Sequence, residues 1–404
     1  MATLFLVVAI ILVSAKLLGA LSVRIGFPSV LGEILAGVVL SSSFLNLMGW
    51  PVFHGTHSLS PETLDKVLAA LAEMGVLFLM FIAGLETDLE KMLKVGWAAF
   101  WSAAGGVALP FAGGLLLGHW AGYGWTASLF IGTLLTATSV SITAQTLMEL
   151  KQLQSKEGMT ILGAAVIDDV MGVLVLSLVV ATAVPQGGAG GMAAIFKTLL
   201  LMSVFFALSI GLGRRLFEPL LQAVSRVRST QIVMSTALAV CLLYSWSAEV
   251  VGQVAAITGA YIAGVLFSLT SFREDLTQRT EVFAYSFFVP VFLAHVGMQT
   301  KVEALGDAPL FALALVLVAI LAKVVGCAAG AWGMRFTPAE SLRVGVGMIS
   351  RGEVGLIIAS YGLSRGVIDE RIFAEMVLVV LVTTLVTPIG LRFVFPSKGF
   401  EKTI

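Results

Sequence analysis

The sequence predicts an all-α polytopic membrane protein: thirteen transmembrane helices in two inverted six-helix repeats joined by a linker helix, with two broken helices that cross. Three observations predict this class. Among 404 residues 58% are hydrophobic and only 12% charged, with a mean hydropathy of +1.01, well outside the soluble range. The apolar residues fall into runs of about 20, the length that crosses a ~30 Å hydrocarbon core. Stretches in the first half also reappear in the second at nearly constant offsets.

Taken in order, the runs predict spans at 3–21, 29–47, 65–86, 94–118, 126–149, 157–183, 192–213, 229–247, 251–270, 281–299, 307–333, 340–363 and 371–394. The first run has no basic stretch ahead of it and no convincing small-residue cleavage site behind it, so it reads as a helix and not a removed leader. The loops are short and eight residues follow Pro396, so no soluble nucleotide-binding domain is expected. Zero formal charge gives no sign of a nucleic-acid partner. Cys241 and Cys327 both lie in apolar runs and are expected as free thiols. With the N-terminus outside, 17 of the 24 Lys and Arg face inward and 5 outward, leaving Lys323 and Arg351 within spans. This predicts N-out and C-in in the cell's inner (cytoplasmic) membrane.

The repeat rests on three matches. Gly32-Glu-Ile-Leu-Ala-Gly-Val-Val-Leu-Ser41 aligns with Gly259-Ala-Tyr-Ile-Ala-Gly-Val-Leu-Phe-Ser268 at an offset of 227. Gly84-Leu-Glu-Thr87 aligns with Gly297-Met-Gln-Thr300, and Gly132 with Gly345, both at 213. The loop from Trp50 to about Thr63, which has no counterpart, accounts for the difference of 14. Spans 1 to 6 and 8 to 13 are then two copies about span 7. An odd number of helices between equivalent starts inverts the second copy, an arrangement common among transporters whose sites lie at the repeat interface.

Ionisable residues inside the spans carry the chemistry. Asp168 and Asp169 sit in a run that is otherwise apolar from Ile161 to Val184. A carboxylate at the bilayer centre costs roughly 2.5–3.5 kcal/mol on insertion scales, so such residues face a bundle interior or watery cavity and mark ion or proton paths. Lys323, with roughly ten apolar residues on either side, cannot snorkel out. It needs a counter-ion, and Asp168 and Asp169 are the candidates. The fifth span contains Thr136-Ala-Thr138-Ser139-Val-Ser141-Ile-Thr143, a hydroxyl-rich stretch that weakens the helix and offers oxygen ligands. Its repeat partner contains Ser350-Arg351-Gly352-Glu353-Val-Gly355. Both read as broken helices, tolerated at that depth only inside protein or beside a cavity, and Arg351 with Glu353 would neutralise the half-helix ends. Glu33 and Glu73 read as pairing or cavity-lining residues, His119 as interfacial, and His54 and His57 lack a third metal ligand. His295 has no assigned role.

These motifs, Ala-Val-Ile-Asp-Asp-Val, Thr-Ala-Thr-Ser, Ala-Lys-Val-Val-Gly and Gly-Met-Ile-Ser-Arg-Gly-Glu-Val-Gly, with the early Arg24-Ile-Gly-Phe-Pro-Ser-Val-Leu-Gly-Glu33, resemble the monovalent cation:proton antiporter-2 family. The resemblance is greatest to its bacterial NapA-type sodium/proton antiporters. It implies an NhaA/NapA-like antiporter fold and a homodimer in the lipid bilayer. It also implies a scaffold of residues 1–90 and 216–300, a linker over 186–215, and a core of 91–185 and 301–396 moving elevator-fashion. Residues 397–404 would be a short cytoplasmic tail. Carried over by position, Asp169 is the main ion-binding and proton-carrying carboxylate, Asp168 its partner, and Lys323 the lysine paired with Asp168. Potassium-exporting relatives tend to have Gln where Asp168 stands, which favours sodium (or lithium) here and leaves a potassium/proton antiporter of the same family as the alternative. No cofactor is expected; Na+ and H+ are the cargo.

Antiport needs one site that a proton or a cation can occupy but not both. Two adjacent acids and a lysine provide it, titrating as a set. On this reading Asp169 is protonated and Asp168 paired with Lys323 at low pH. At higher pH Na+ binds Asp169, Asp168 and oxygens near Thr138 and displaces the lysine. An intramembrane aspartyl protease is excluded, since neighbours on one helix point about 100° apart and no second membrane Asp is available. A cation channel would need a continuous pore in place of the repeat and its broken helices.

Overall fold

A computed structural model describes residues 2–50, 60–183, 191–227, 231–299, 309–352, 355, 358–359, 362–363 and 366–395. Among these it is helical, with no strand. The helices are α1 (Ala2–Arg24), α2 (Ser29–Leu40), α3 (Pro61–Glu86), α4 (Leu89–Lys94), α5 (Gly96–Trp120), α6 (Trp125–Thr136), α7 (Val140–Glu149), α8 (Lys156–Ala183), α9 (Gly191–Ser225), α10 (Ile232–Val250) and α11 (Ala256–Phe267). They continue with α12 (Arg273–Phe283), which runs through a π-turn at Ala284–Phe288 into α13 (Val289–Met298), then α14 (Pro309–Gly333), α15 (Pro338–Gly347) and α16 (Glu370–Val394). Among the described residues ten helical stretches are long and apolar enough to cross a membrane, and α2 and α11 are shorter apolar helices. The chain is a multi-pass membrane protein.

Several bounds differ from the sequence expectation. The span expected over 29–47 stops at Leu40, where Ser41 turns extended, and a 3-10 turn follows at Leu47–Gly49. Likewise the helix expected from 251 starts at Ala256. The helix expected to end at 213 continues to Ser225. Phe217 and Leu221 give the extra turns a buried face, and Glu218 ties them to Ser271 through its amide and hydroxyl. Helix α4, begun by Asp88 whose carboxylate caps Glu90 and Lys91, was not expected from hydropathy because its residues are polar.

The helices pack in two sets. Helix α5 lies along α14, with α6, α8, α15 and α16 around them; α2 and α3 lie along α13 and α11, with α1 and α10 outside. Close approach is bought by glycine. A methyl group at Gly37 would strike the carbonyl of Ala294, and one at Gly264 that of Phe81. Likewise Gly132 abuts Phe111 O on α5, and Gly345 abuts Val324 O on α14. Such contacts let backbones meet without a hydrophobic driving force between helices. From Val76 to Leu85 nearly all of α3 is buried, as expected of a helix wrapped on every side.

Candidate functional site

Two helix breaks form the frame. Helix α6 ends at Thr136, and Ala137 to Ser139 run extended before α7 begins. Helix α15 ends at Gly347, and the chain then passes through Met348 to Gly352 without regular helix. The two unwound stretches cross: Ser139 N donates to Ser350 O at 2.8 Å, and Thr143 Oγ1 donates to Gly347 O at 2.7 Å. Gly352 meets Ser139, and a methyl group there would lie 2.7 Å from the Ser139 hydroxyl. All of these residues are buried, so their backbone groups have to find partners within the protein.

The last carbonyls of any helix lack intrahelical partners and form the negative end of its dipole. At the end of α6 two buried cations take them. Lys323 Nζ donates to Thr136 O at 2.9 Å, and Arg351 Nη2 donates to Leu135 O at 2.8 Å. Arg351 also reaches Ala319 O on α14 and Ile349 O, while its own carbonyl accepts from Thr384 on α16. One guanidinium thus ties α6, α14 and the second break together. Gly106 on α5 leaves room for Cys327, one turn along α14, whose Sγ a Cβ at Gly106 would strike.

Lys323 Nζ also donates to Asp168 Oδ1 at 2.9 Å, both side chains being at most 2% exposed. Asp169, one residue on and about 100° round α8, turns the other way. Its Oδ2 accepts from Thr258 Oγ1 of α11 at 3.0 Å, beside a cavity of about 10 Å³ lined also by Met80, Val140, Leu162 and Tyr261. That is room for about one water. The two acids therefore face different helix sets, one locked to a lysine and one at a small cavity.

The hydroxyls of the first break are arranged less simply than their sequence suggests. Thr136 Oγ1 turns back to Thr133 O, so Thr136 contributes its carbonyl and not its side chain. Thr138 Oγ1 points to Thr136 O at 3.5 Å, and Ser139 and Ser141 pair with each other at 3.1 Å. Glu353 lies outside the described residues, as do His54 and His57. Glu33 is buried against Lys16 at 2.9 Å, Glu73 is exposed on α3, and His295 is buried with its Nε2 3.2 Å from Gln299. Cys241 and Cys327 are buried free thiols.

Two features were missed in the sequence. Thr258 stands at the repeat position of Leu31, and that polar-for-apolar exchange was the available signal. The second is a vestibule of about 410 Å³ lined by Glu33, Glu86, Glu149, Glu281 and Lys16, at the ends of helices too far apart in sequence to be read together. There Glu149 accepts from the Ser29 amide and hydroxyl at 2.7 and 2.6 Å, capping α2 from the far end of α7.

A family model described as "Sodium/hydrogen exchanger, transmembrane" matches residues 9–396. The Na(+)/H(+)-K(+) antiporter GerN of Bacillus cereus is 37% identical to this chain, covering 98% of it and 97% of its own length. The Na(+)/H(+) antiporter of Enterococcus hirae is 34% identical, covering 98% of each. Among solved structures, the sodium proton antiporter MjNhaP1 from Methanocaldococcus jannaschii superposes with a TM-score of 0.70 over 95% of this chain and 93% of its own, at 14% identity, a likeness of fold. A match over so much of the chain, together with identities above a third, makes this protein a member of the transmembrane sodium/hydrogen exchanger family.

Proposed function

We propose that the protein is a secondary active antiporter that exports Na+ in exchange for H+, and not an enzyme. The observation that carries the reading is the buried Asp168–Lys323 pair with the half-buried Asp169 next to it, beside two crossing helix breaks. Asp169, at a small cavity, is the carboxylate that takes Na+ or a proton in turn; Asp168 is its partner and Lys323 the group that gives way. Thr138, Ser139, Ser141 and Thr136 shape the first break. Arg351 and Gly352 hold the second against it.

The thirteen-span inverted repeat is part of the same reading. Supporting it, Gly37 and Gly264, which the repeat aligns, meet the carbonyls of Ala294 and Phe81, which it also aligns at 213; Gly132 and Gly345 do the same with Phe111 and Val324. The two helix sets then correspond to a scaffold (1–90 and 216–300) and a core (91–185 and 301–396), joined by the linker 186–215. The core moves past the scaffold elevator-fashion in a homodimer, with the N-terminus outside and the C-terminus inside. Two acids and one lysine suit two protons per Na+ and electrogenic exchange.

The test is a proteoliposome assay with an internal pH dye and a potassium/valinomycin voltage clamp. Na+ that alkalinises an acidic lumen, in a manner sensitive to imposed voltage, supports the reading; no response to Na+ or K+ sinks it. A second reading, K+ accepted alongside Na+, is favoured by the likeness to GerN, which is named for both ions. A response to KCl in the same assay, under a clamp that does not use potassium, decides it.

A further inference from the structure

We propose that Thr258 supplies an oxygen ligand to the transported cation and so helps determine the site's specificity, an inference that rests on the antiport reading above. Thr258 belongs to neither the aspartate motif nor the broken helices. Its hydroxyl lies 3.0 Å from Asp169 Oδ2, and the residue is 2% exposed. The cavity they share is otherwise walled by Met80, Val140, Leu162, Val166 and Ile257, with Tyr261 as its other hydroxyl. That hydroxyl lies 3.1 Å from the hydroxyl of Thr87 and donates to the sulfur of Met92. Helix α11 begins without a side-chain cap, so the Thr258 hydroxyl is not used there either.

A hydroxyl has one proton and two lone pairs and can change roles by rotation. With no cation, its proton goes to the Asp169 carboxylate. When a cation settles against Asp169, the hydroxyl rotates so that its proton turns away from the carboxylate and a lone pair faces the ion. Carboxylate and hydroxyl oxygens are the hard donors that cations of this kind take. No bond is made or broken in the exchange of roles.

The geometry also makes the effect one-sided. Asp169 is on α8, packed with α5, whereas Thr258 is on α11, packed with α3 and α10. If those helix sets move past each other, Thr258 can reach the cation in one access state only. The structure holds Thr258 on Asp169, so the face that this arrangement opens to is the one served.

The experiment measures Na+-driven exchange by the full chain in proteoliposomes, with Na+ added to one face at a time. Thr258→Val is expected to raise the KM for Na+ roughly tenfold from one face of the membrane, the scale of one lost bond to a charged group. The KM from the other face and kcat change little, and Thr258→Ser restores the wild-type KM. A wild-type KM for Thr258→Val from both faces overturns the proposal, and so does an equal rise for Val and Ser, which marks packing. Should Thr258→Val fail to give a monodisperse protein, Thr258→Ala is held to the same criteria. If the wild type exchanges no cation, the antiport reading fails on its own, and equilibrium binding of radioactive Na+ decides about Thr258. Weaker binding by Thr258→Val than by the wild type supports the ligand, while equal binding, or none by the wild type, overturns it.

Discussion

Lys323 Nζ stands 2.9 Å from Asp168 Oδ1, with neither side chain more than 2% exposed, so each ion depends on the other for its place in the bundle. Removing one partner of a buried pair leaves an uncompensated charge and costs about 3–5 kcal/mol, whereas removing both is often close to neutral. Asp168→Asn and Lys323→Met should each lower the melting temperature in detergent clearly, and the double variant should recover most of the loss. Exchange by the double variant should no longer respond to imposed voltage. Full electrogenic exchange by Asp168→Asn would rule out an essential role for that carboxylate.

Asp169 presents the opposite case. It is half-buried, accepts from Thr258 and lines a cavity, and an asparagine there keeps the volume and an oxygen acceptor for Thr258. Asp169→Asn should therefore abolish exchange while changing the melting temperature by only a degree or so, within the range of about 0.5 kcal/mol typical of mild substitutions. Tracer Na+ uptake and a thermal melt on the same preparation check both halves.

Arg351 makes a structural prediction. Its guanidinium donates to three carbonyls from two helices and its own segment. Arg351→Met leaves those acceptors unpaired at about 1–3 kcal/mol each, so the protein should be lost from the membrane fraction or melt far lower. Arg351→Lys keeps the charge on a point donor that cannot span the same carbonyls, and should fall between the two. Equal melting of Lys and wild type would reduce Arg351 to its charge alone.

Much of the fold was legible because lipid imposes one rule on every span: about 20 apolar residues and internal hydrogen bonding. Hence α3, α5, α8, α14 and α16 lie where hydropathy puts them. The ends of α2 and α11 were not legible: after Leu40 three serines precede Phe44, Leu45 and Leu47, and a hydropathy window averages across the backbone turn at Ser41. Within the site, Asp168, Asp169 and Lys323 stood out as charges against an apolar background. The threonines did not disclose which atom would act: Thr136 turns its hydroxyl back to its own helix and offers its carbonyl. Thr258 and Glu149 act across 89 and 120 residues respectively, and their partners come from topology, which local pattern does not carry.

The repeat itself can be tested by symmetry. Gly37 lies against the carbonyl of Ala294, and Gly264, its aligned counterpart, against that of Phe81. Both neighbours are backbone, which cannot swing aside as a flexible side chain would. An added methyl must push α2 from α13 in one case and α11 from α3 in the other. Overpacking of this kind costs typically 1–3 kcal/mol. If the two halves are built alike, Gly37→Ala and Gly264→Ala should lower the melting temperature by similar amounts, and the effects should add in the double variant because the sites share no partner. A large loss at one position beside none at the other would mean that the sequence match does not reflect equivalent packing, and would remove the support it lends to an inverted repeat.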